Sequence, residues 1–209
     1  MAGIRRDNVN KFKFYYMSIN LLEAVQQKLG YPVLQKIDPN TQEVKADKST
    51  PDEERFSQAA IPSVLIALYN YSTLDAGAEA ILNGGEYDWT ENIFGDHKEE
   101  AIKKIAEYSY QSPDQAYSQI EEIADEAIVE IKNNLKPEAH IIDVKKLLAD
   151  QRNLVLPYLP ADLHMGEILN NPTFDDRTNK MEGPVSNLMH AIGNIFSASD
   201  TEEKKEPKF

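Results

Sequence analysis

The chain of 209 residues contains no cysteine. This absence excludes disulfide scaffolds, thiolate zinc sites, iron–sulfur clusters and cysteine nucleophiles. Long apolar runs are missing as well, because the longest one, residues 59–69, is interrupted by Pro62 and Ser63. Such a run is too short to span a bilayer, and the N-terminus has no apolar stretch of signal-peptide length. We therefore expect a cytoplasmic protein that does not enter the membrane.

The common catalytic motifs are also missing. The chain has no HExxH pair, no Walker spacing, no Rossmann fingerprint, no GxSxG elbow and no kinase signature. The adjacent pair Gly84-Gly85 lacks the Walker lysine and is typical of a helix end instead. The sequence therefore predicts a non-enzymatic protein without a cofactor.

Basic charge is scarce and unevenly distributed. The chain has 22 Lys and Arg against 35 Asp and Glu, a net charge of -13. Residues 51–135 hold five basic and eighteen acidic residues, whereas the flanking segments carry +3 and −3. This acidity argues against a nucleic-acid-binding protein, whose footprint would be basic. It also indicates an acidic face to which a basic protein partner could be steered.

Apolar residues recur at helical spacing along most of the chain. The clearest stripe consists of Ala116, Ile120, Ile123, Ala127, Ile131 and Leu135. No stretch shows the alternation of period two that is typical of strands. We therefore predict an all-α fold, a compact bundle of about seven or eight helices. Residues 64–69 are apolar on every side, which predicts a buried central helix, and Pro62 should kink or divide that helix.

Two helix starts carry a Ser/Thr-Pro signature. Thr50 precedes Pro51 and is followed by Glu53, and Ser112 precedes Pro113 and is followed by Gln115. In a capping box the hydroxyl accepts from the third helical N–H, while the later side chain reaches back to the cap. Both Thr50 and Ser112 are thus expected to be N-caps.

The composition divides the chain into three parts. Residues 1–17 are expected to form an N-terminal arm, 18–197 a single all-helical domain, and 198–209 a disordered tail. A last helix is predicted to start at Pro184.

Residues 19–135 resemble the YidB-like bacterial proteins, a domain family of unknown function. The resemblance lies in the order of the segments INLLEAVQQKLG and FSQAAIPSVLIALYNYSTLDAGAEAIL, followed by Asn92-Ile93-Phe94-Gly95 and two further helices. It implies an all-helical fold and no known active site. Residues 136–197 would then be additional C-terminal helices with a strap, which look like the C-terminal part of uncharacterised bacterial proteins.

Segment 157–190 is the place where a binding site would be sought first, because a long polar loop in a compact domain is often functional. We predict no metal site, but His164, Glu167 and His190 are the residues that could form one between helices. Asp175, Asp176 and Arg177 are candidates for a functional loop, or they form ion pairs or a helix cap. The same segment could instead be a structural strap.

Two functional hypotheses follow. The first is a protein that acts by association with another protein or with itself. The second is a small-molecule or metal-binding protein, or an enzyme, with its site in residues 157–190.

Overall fold

A computed structural model describes residues 19–38, 40–44, 49–85 and 87–176, and the structural statements below concern these residues. They form eight α-helices and several short 3₁₀ turns, with no β-strand among them. The helices are α1 (Leu21–Lys28), α2 (Asp52–Ser72), α3 (Asp75–Asn83), α4 (Trp89–Phe94), α5 (Lys98–Ser109), α6 (Pro113–Asn133), α7 (Ile141–Val155) and the single turn α8 (Met165–Ile168). The predicted all-α class is confirmed.

Helix α2 forms the centre of the fold. It contacts α1, α3, α4, α5, α6 and α7, and it is buried from Phe56 to Leu68. The helix continues through Pro62 instead of being divided there. The predicted buried central helix is therefore confirmed, because apolar contacts on every side hold α2 together despite the missing proline N–H.

The start of α6 forms as its sequence predicts. Ser112 Oγ accepts the Gln115 N–H at 3.3 Å, and Gln115 reaches back to Ser112 in a capping box. The apolar stripe of α6 is buried, with Ala116, Ile120 and Ile123 fully inaccessible. Periodicity and capping agree here, so local sequence determines both the start and the orientation of this helix.

The start of α2 differs from the prediction. Pro51 and not Thr50 is the N-cap, and no side chain caps the helix. The acidic first turn with Asp52, Glu53 and Glu54 supplies favourable charge at the helix N-terminus instead. The expected Thr50–Glu53 capping box is wrong.

Several predictions fall on parts of the chain outside the described residues. They are the N-terminal arm 1–17, the last helix from Pro184, and the tail 198–209. Arg177 and His190 lie outside the described residues as well.

Candidate functional site

An acidic groove runs along the outer side of α6. It encloses about 500 Å³ between the end of α1 and one face of α6. Its lining, called the acidic groove below, consists of Leu29, Tyr117, Ser118, Glu121, Glu122, Asp125, Glu126 and Val129. Four carboxylates thus stand beside apolar surface, of which Val129 is 48% exposed.

One of these carboxylates has a structural role that the sequence did not reveal. Glu121 accepts the backbone N–H of Trp89 at 2.7 Å and that of Thr90 at 2.9 Å, and it also bonds the Thr90 hydroxyl. Trp89 and Thr90 are buried at the start of α4, where backbone N–H groups have no partner within the helix. Glu121 therefore caps α4 from a neighbouring helix.

Glu122, Asp125 and Glu126, the other three carboxylates of the groove, accept no helix-capping hydrogen bond from another described helix. Among the described residues, no basic side chain forms a salt bridge with Glu122, Asp125 or Glu126. Partial burial, and secondly the charge of Glu121, raise the pKa of the Asp125 carboxyl above its ordinary value. Like charges four residues apart on a helix repel, so α6 carries an unfavourable charge arrangement at this face.

A second feature, the polar cavity, lies where the loop after α1 meets the end of α5 and the turn before α8. It encloses about 490 Å³. Its lining residues are Glu43, Val44, Arg55, Lys104, Glu107, Tyr108, Tyr110, Asp162 and His164. The cavity combines cationic and anionic side chains with two tyrosines.

Glu43 connects three parts of the chain at the cavity. Its Oε1 accepts the Asp162 backbone N–H at 2.9 Å, and its Oε2 accepts the Tyr108 hydroxyl at 3.3 Å. Burial raises the pKa of the Glu43 carboxyl, an effect that exceeds the opposing hydrogen bond from Asp162. Burial and the neighbouring Glu43 charge also raise the pKa of Tyr108. The Glu43 carboxyl and the Tyr108 hydroxyl thus form one coupled pair at the wall of the cavity.

The backbone around the cavity is unusual. Among the described residues, four other than glycine have a positive φ, and three of them lie at this cavity or next to it: Gln42 (φ 59°), Tyr110 (φ 58°) and His164 (φ 52°). Left-handed conformations are unfavourable for residues with a Cβ, and they concentrate at functional sites. Tyr110 is 74% exposed and is the C-cap of α5, so its left-handed conformation ends that helix.

The candidate metal ligands are not brought into one site. His164 and Glu167 are both exposed, and only His164 lines the polar cavity. Among the described residues, no group of three or more His, Asp or Glu side chains is placed to hold a metal ion.

The predicted functional loop contains a local cap. Asp175 accepts the backbone N–H of Gly166 at 3.0 Å and that of Glu167 at 3.2 Å. A Cβ at Gly166 would lie 2.5 Å from Asp175 Oδ2, so a larger residue there would have to displace this carboxylate. Asp176 is exposed.

Segment 157–176 packs on the core and also contributes residues to the lining of the polar cavity. Leu159, Met165 and Phe174 are fully buried in the core. Asp162 and His164, in contrast, line the polar cavity. The described part of the segment therefore packs across the bundle and also brings two polar side chains to a cavity wall.

The sequence did not indicate which residues line the polar cavity together with Asp162 and His164. Glu43, Arg55 and Tyr108 lie in three separate segments, and no motif links them to residue 162. One signal is Tyr110 itself. It is the left-handed residue that ends α5, a position that usually carries glycine.

Comparisons with known proteins add no relative. The chain matches no protein-family model, and neither a curated protein nor a solved structure is significantly similar to it. None of the helices among the described residues is both long and apolar enough to cross a membrane. The fold thus defines an all-α protein, whose candidate sites are the groove and the cavity.

Proposed function

We propose that the protein acts by association, with the acidic groove docking a basic amphipathic helix of a partner protein. The observation that carries this proposal is the combination of apolar surface with Glu122, Asp125 and Glu126, which no described basic residue neutralises. A helix with an apolar stripe flanked by Lys or Arg matches both properties, since amphipathic helices bind grooves by their apolar face.

Charge supports this partner class. The excess negative charge of the chain belongs to residues 51–135, and α6 contributes much of it. An unneutralised acidic face attracts a basic partner over a distance set by the ionic strength, about 8–10 Å near physiological salt. A nucleic acid would be repelled by the same face, which supports a protein partner.

Apolar contact would supply the remaining affinity. Val129 is 48% exposed, and Leu29 and Tyr117, which also line the groove, are half-buried. Covering such surface contributes about 25 cal/mol per Å², so a partner with Leu or Ile facing Val129 should bind more tightly than a merely basic one.

The test uses a fluorescent synthetic peptide with lysines and leucines at helical spacing as the probe. Binding is followed by anisotropy with the full-length protein at several salt concentrations. We expect affinity to fall as salt rises, and to fall at least about tenfold in a triple variant, Glu122→Gln, Asp125→Asn and Glu126→Gln. A peptide with the same lysines but serine for leucine should bind more weakly.

A matched control removes the same charge elsewhere. Asp96, Glu99 and Glu100 are exposed around the start of α5, and none of them lines the groove. Their replacement by Asn and Gln should leave the affinity nearly unchanged. Equal losses in both triple variants would show that net charge alone attracts the peptide, and the groove would then not be the docking surface.

Self-association is the second form of the association hypothesis. Light scattering across protein concentrations distinguishes the two forms. If the wild type dimerises and the groove triple variant does not, the groove binds a second copy of this chain and not a different protein. The cytoplasmic location and the resemblance to YidB-like proteins stay predictions.

A further inference from the structure

We propose that residues 12–17 of this chain dock in a pocket between α6 and α7, called the α6–α7 pocket below. The pocket encloses about 360 Å³ where the end of α6, the loop after it and one face of α7 meet. It shares no lining residue with the acidic groove or the polar cavity. The proposal therefore does not depend on the association function.

Half-buried apolar side chains line the α6–α7 pocket. They are Ile19, Leu135, Ala139 and Leu147. Ile19, Leu135 and Leu147 pack against the hydrophobic core and are still accessible from the pocket. Covering apolar surface of this kind is favourable, because it removes the surface from water. The pocket therefore favours an apolar occupant.

The described part of the chain begins at this pocket. Ile19 belongs to the lining, and Gln151 of α7 holds the backbone on both sides of residue 20. Gln151 Nε2 donates to the Ile19 carbonyl at 2.7 Å, and its Oε1 accepts the Leu21 N–H at 2.9 Å. Gln151 is only 2% exposed, so these bonds fix Ile19 to the core. The segment that precedes Ile19 therefore starts at the edge of the pocket.

The sequence before Ile19 matches the apolar lining. Residues 12–17 read FKFYYM, so five of the six side chains are aromatic or apolar. These residues lie outside the described part of the chain. A chain spans at most about 3.3–3.6 Å per residue, so residue 14 stays within about 18 Å of Ile19. So short a connection gives an effective concentration on the order of millimolar, at which even a weak apolar contact is made within one molecule.

The charges of the lining do not direct a charged ligand to this pocket. Lys136 and Lys146 stand against Asp143 and Asp150, so the lining carries no net charge. Apolar contact therefore has to supply the free energy of binding. Docking of residues 12–17 should then be insensitive to salt, in contrast to binding at the acidic groove.

The acidic groove is the competing site for the same segment. Residues 1–18 contain four basic residues and one acidic residue, which a negative surface attracts. The groove, however, begins at Leu29, beyond the far end of α1, whereas the aromatic residues closely precede Ile19. Position along the chain thus favours the α6–α7 pocket.

Cysteine cross-linking in the full-length protein tests the proposal. The chain has no cysteine, so an introduced pair reports only its own proximity. Lys13→Cys leaves the four aromatic residues of the segment in place, and it is combined with Ala139→Cys in the pocket or with Glu23→Cys on α1. Glu23 is the matched control, because it is exposed and only four residues after Ile19 but does not line the pocket.

The rates of disulfide formation are compared after addition of oxidised glutathione to dilute protein, on non-reducing gels. A disulfide requires the two Cα atoms to approach within about 7 Å. We expect the Ala139 pair to form at least about fivefold faster than the Glu23 pair, because docking raises the local concentration of residue 13 at the pocket. The ratio of the two rates should be unchanged in ~0.5 M NaCl.

A second variant tests the apolar contact. The aromatic residues of the segment are replaced in both cysteine pairs by Phe12→Ser, Phe14→Ser, Tyr15→Ser and Tyr16→Ser. This variant keeps the charges and the length of the connection, so the ratio of the two rates should fall to about one. Arg5→Gln together with Arg6→Gln is the control, which removes charge without changing the aromatic residues and should leave the ratio unchanged.

Four outcomes overturn the proposal. Equal rates for the Ala139 and Glu23 pairs would show that the segment does not prefer the pocket. A ratio that the serine variant retains would show that aromatic contact is not the cause. Faster cross-linking to Val129→Cys than to Ala139→Cys would place the segment in the acidic groove. Cross-links to Ala139→Cys that occur only in dimers would assign the pocket to a second copy of the chain.

Discussion

Glu121 of α6 accepts hydrogen bonds from both the backbone N–H and the hydroxyl of Thr90 at the start of α4. This contact explains why one carboxylate of an otherwise solvent-facing acidic row is turned inward. It ties the short helix with the single Trp to the longest amphipathic helix of the fold. One residue of the acidic groove therefore belongs to the scaffold.

Loss of this cap should destabilise the protein. Glu121→Ala leaves the N–H groups of Trp89 and Thr90, and the Thr90 hydroxyl, without their acceptor. Because both residues are buried, we expect the free energy of unfolding to fall by about 2–3 kcal/mol. Urea unfolding measures the change. Glu122→Ala is the control and should change stability by less than about 0.5 kcal/mol, since Glu122 is exposed.

Gln58 fixes the loop after α1 to the core. Its side chain accepts the Gln35 N–H at 2.8 Å and donates to the carbonyls of Gln35 at 3.0 Å and Tyr158 at 2.7 Å. Gln58→Leu should cost about 3 kcal/mol, because three backbone groups lose their partner at a residue only 3% exposed. Hydrogen exchange at the Gln35 amide should also accelerate. The exposed Gln27→Leu is the control, and an equal loss there would contradict the assignment.

Tyr110 offers a test of backbone strain. Its φ of 58° ends α5 in the left-handed region, where an added Cβ is unfavourable. Both Tyr110→Gly and Tyr110→Ala remove the ring, so the difference in stability between the two variants reports the backbone preference alone. We expect the Gly variant to be more stable than the Ala variant by about 1 kcal/mol in thermal unfolding. The opposite order, which is usual inside a helix, would show that the position is not strained.

The Glu43 carboxyl should make stability depend on pH. Its pKa in the folded protein is raised above the ordinary value of 4.5, chiefly by burial. The folded state then binds a proton more tightly than the unfolded state. The protonated Glu43 carboxyl therefore contributes to the free energy of unfolding below pH 4.5, and this stabilisation is lost as the pH rises through the folded pKa. Glu43→Gln removes the titration and keeps an acceptor for the Asp162 N–H. Wild-type stability should therefore fall relative to this variant as the pH rises above 4.5, as measured by denaturant unfolding. If wild-type stability instead rose relative to the variant as the pH increased, the pKa of Glu43 would be lowered by folding, and the raised pKa would be contradicted.

The helical class, the burial of α2 and the start of α6 could be predicted from the sequence. Each depends on information within a few residues: a period of 3.6, an apolar run, or the Ser112–Gln115 pair. The Thr50–Glu53 pair has the same pattern and does not form a cap, because such a pattern competes with other favourable starts, here the acidic first turn after Pro51.

The sequence by itself determined the all-α class and which stretch of the chain carries the negative charge. Only the tertiary structure decided which acidic residues stay exposed and which cap a neighbouring helix, as Glu122 and Glu121 show. It also brought Glu43 to the Asp162 backbone, 119 residues away, to form a cavity of mixed charge. The physical reason is that helices form from short-range periodicity and backbone hydrogen bonds, whereas caps between helices and cavities depend on how distant segments pack.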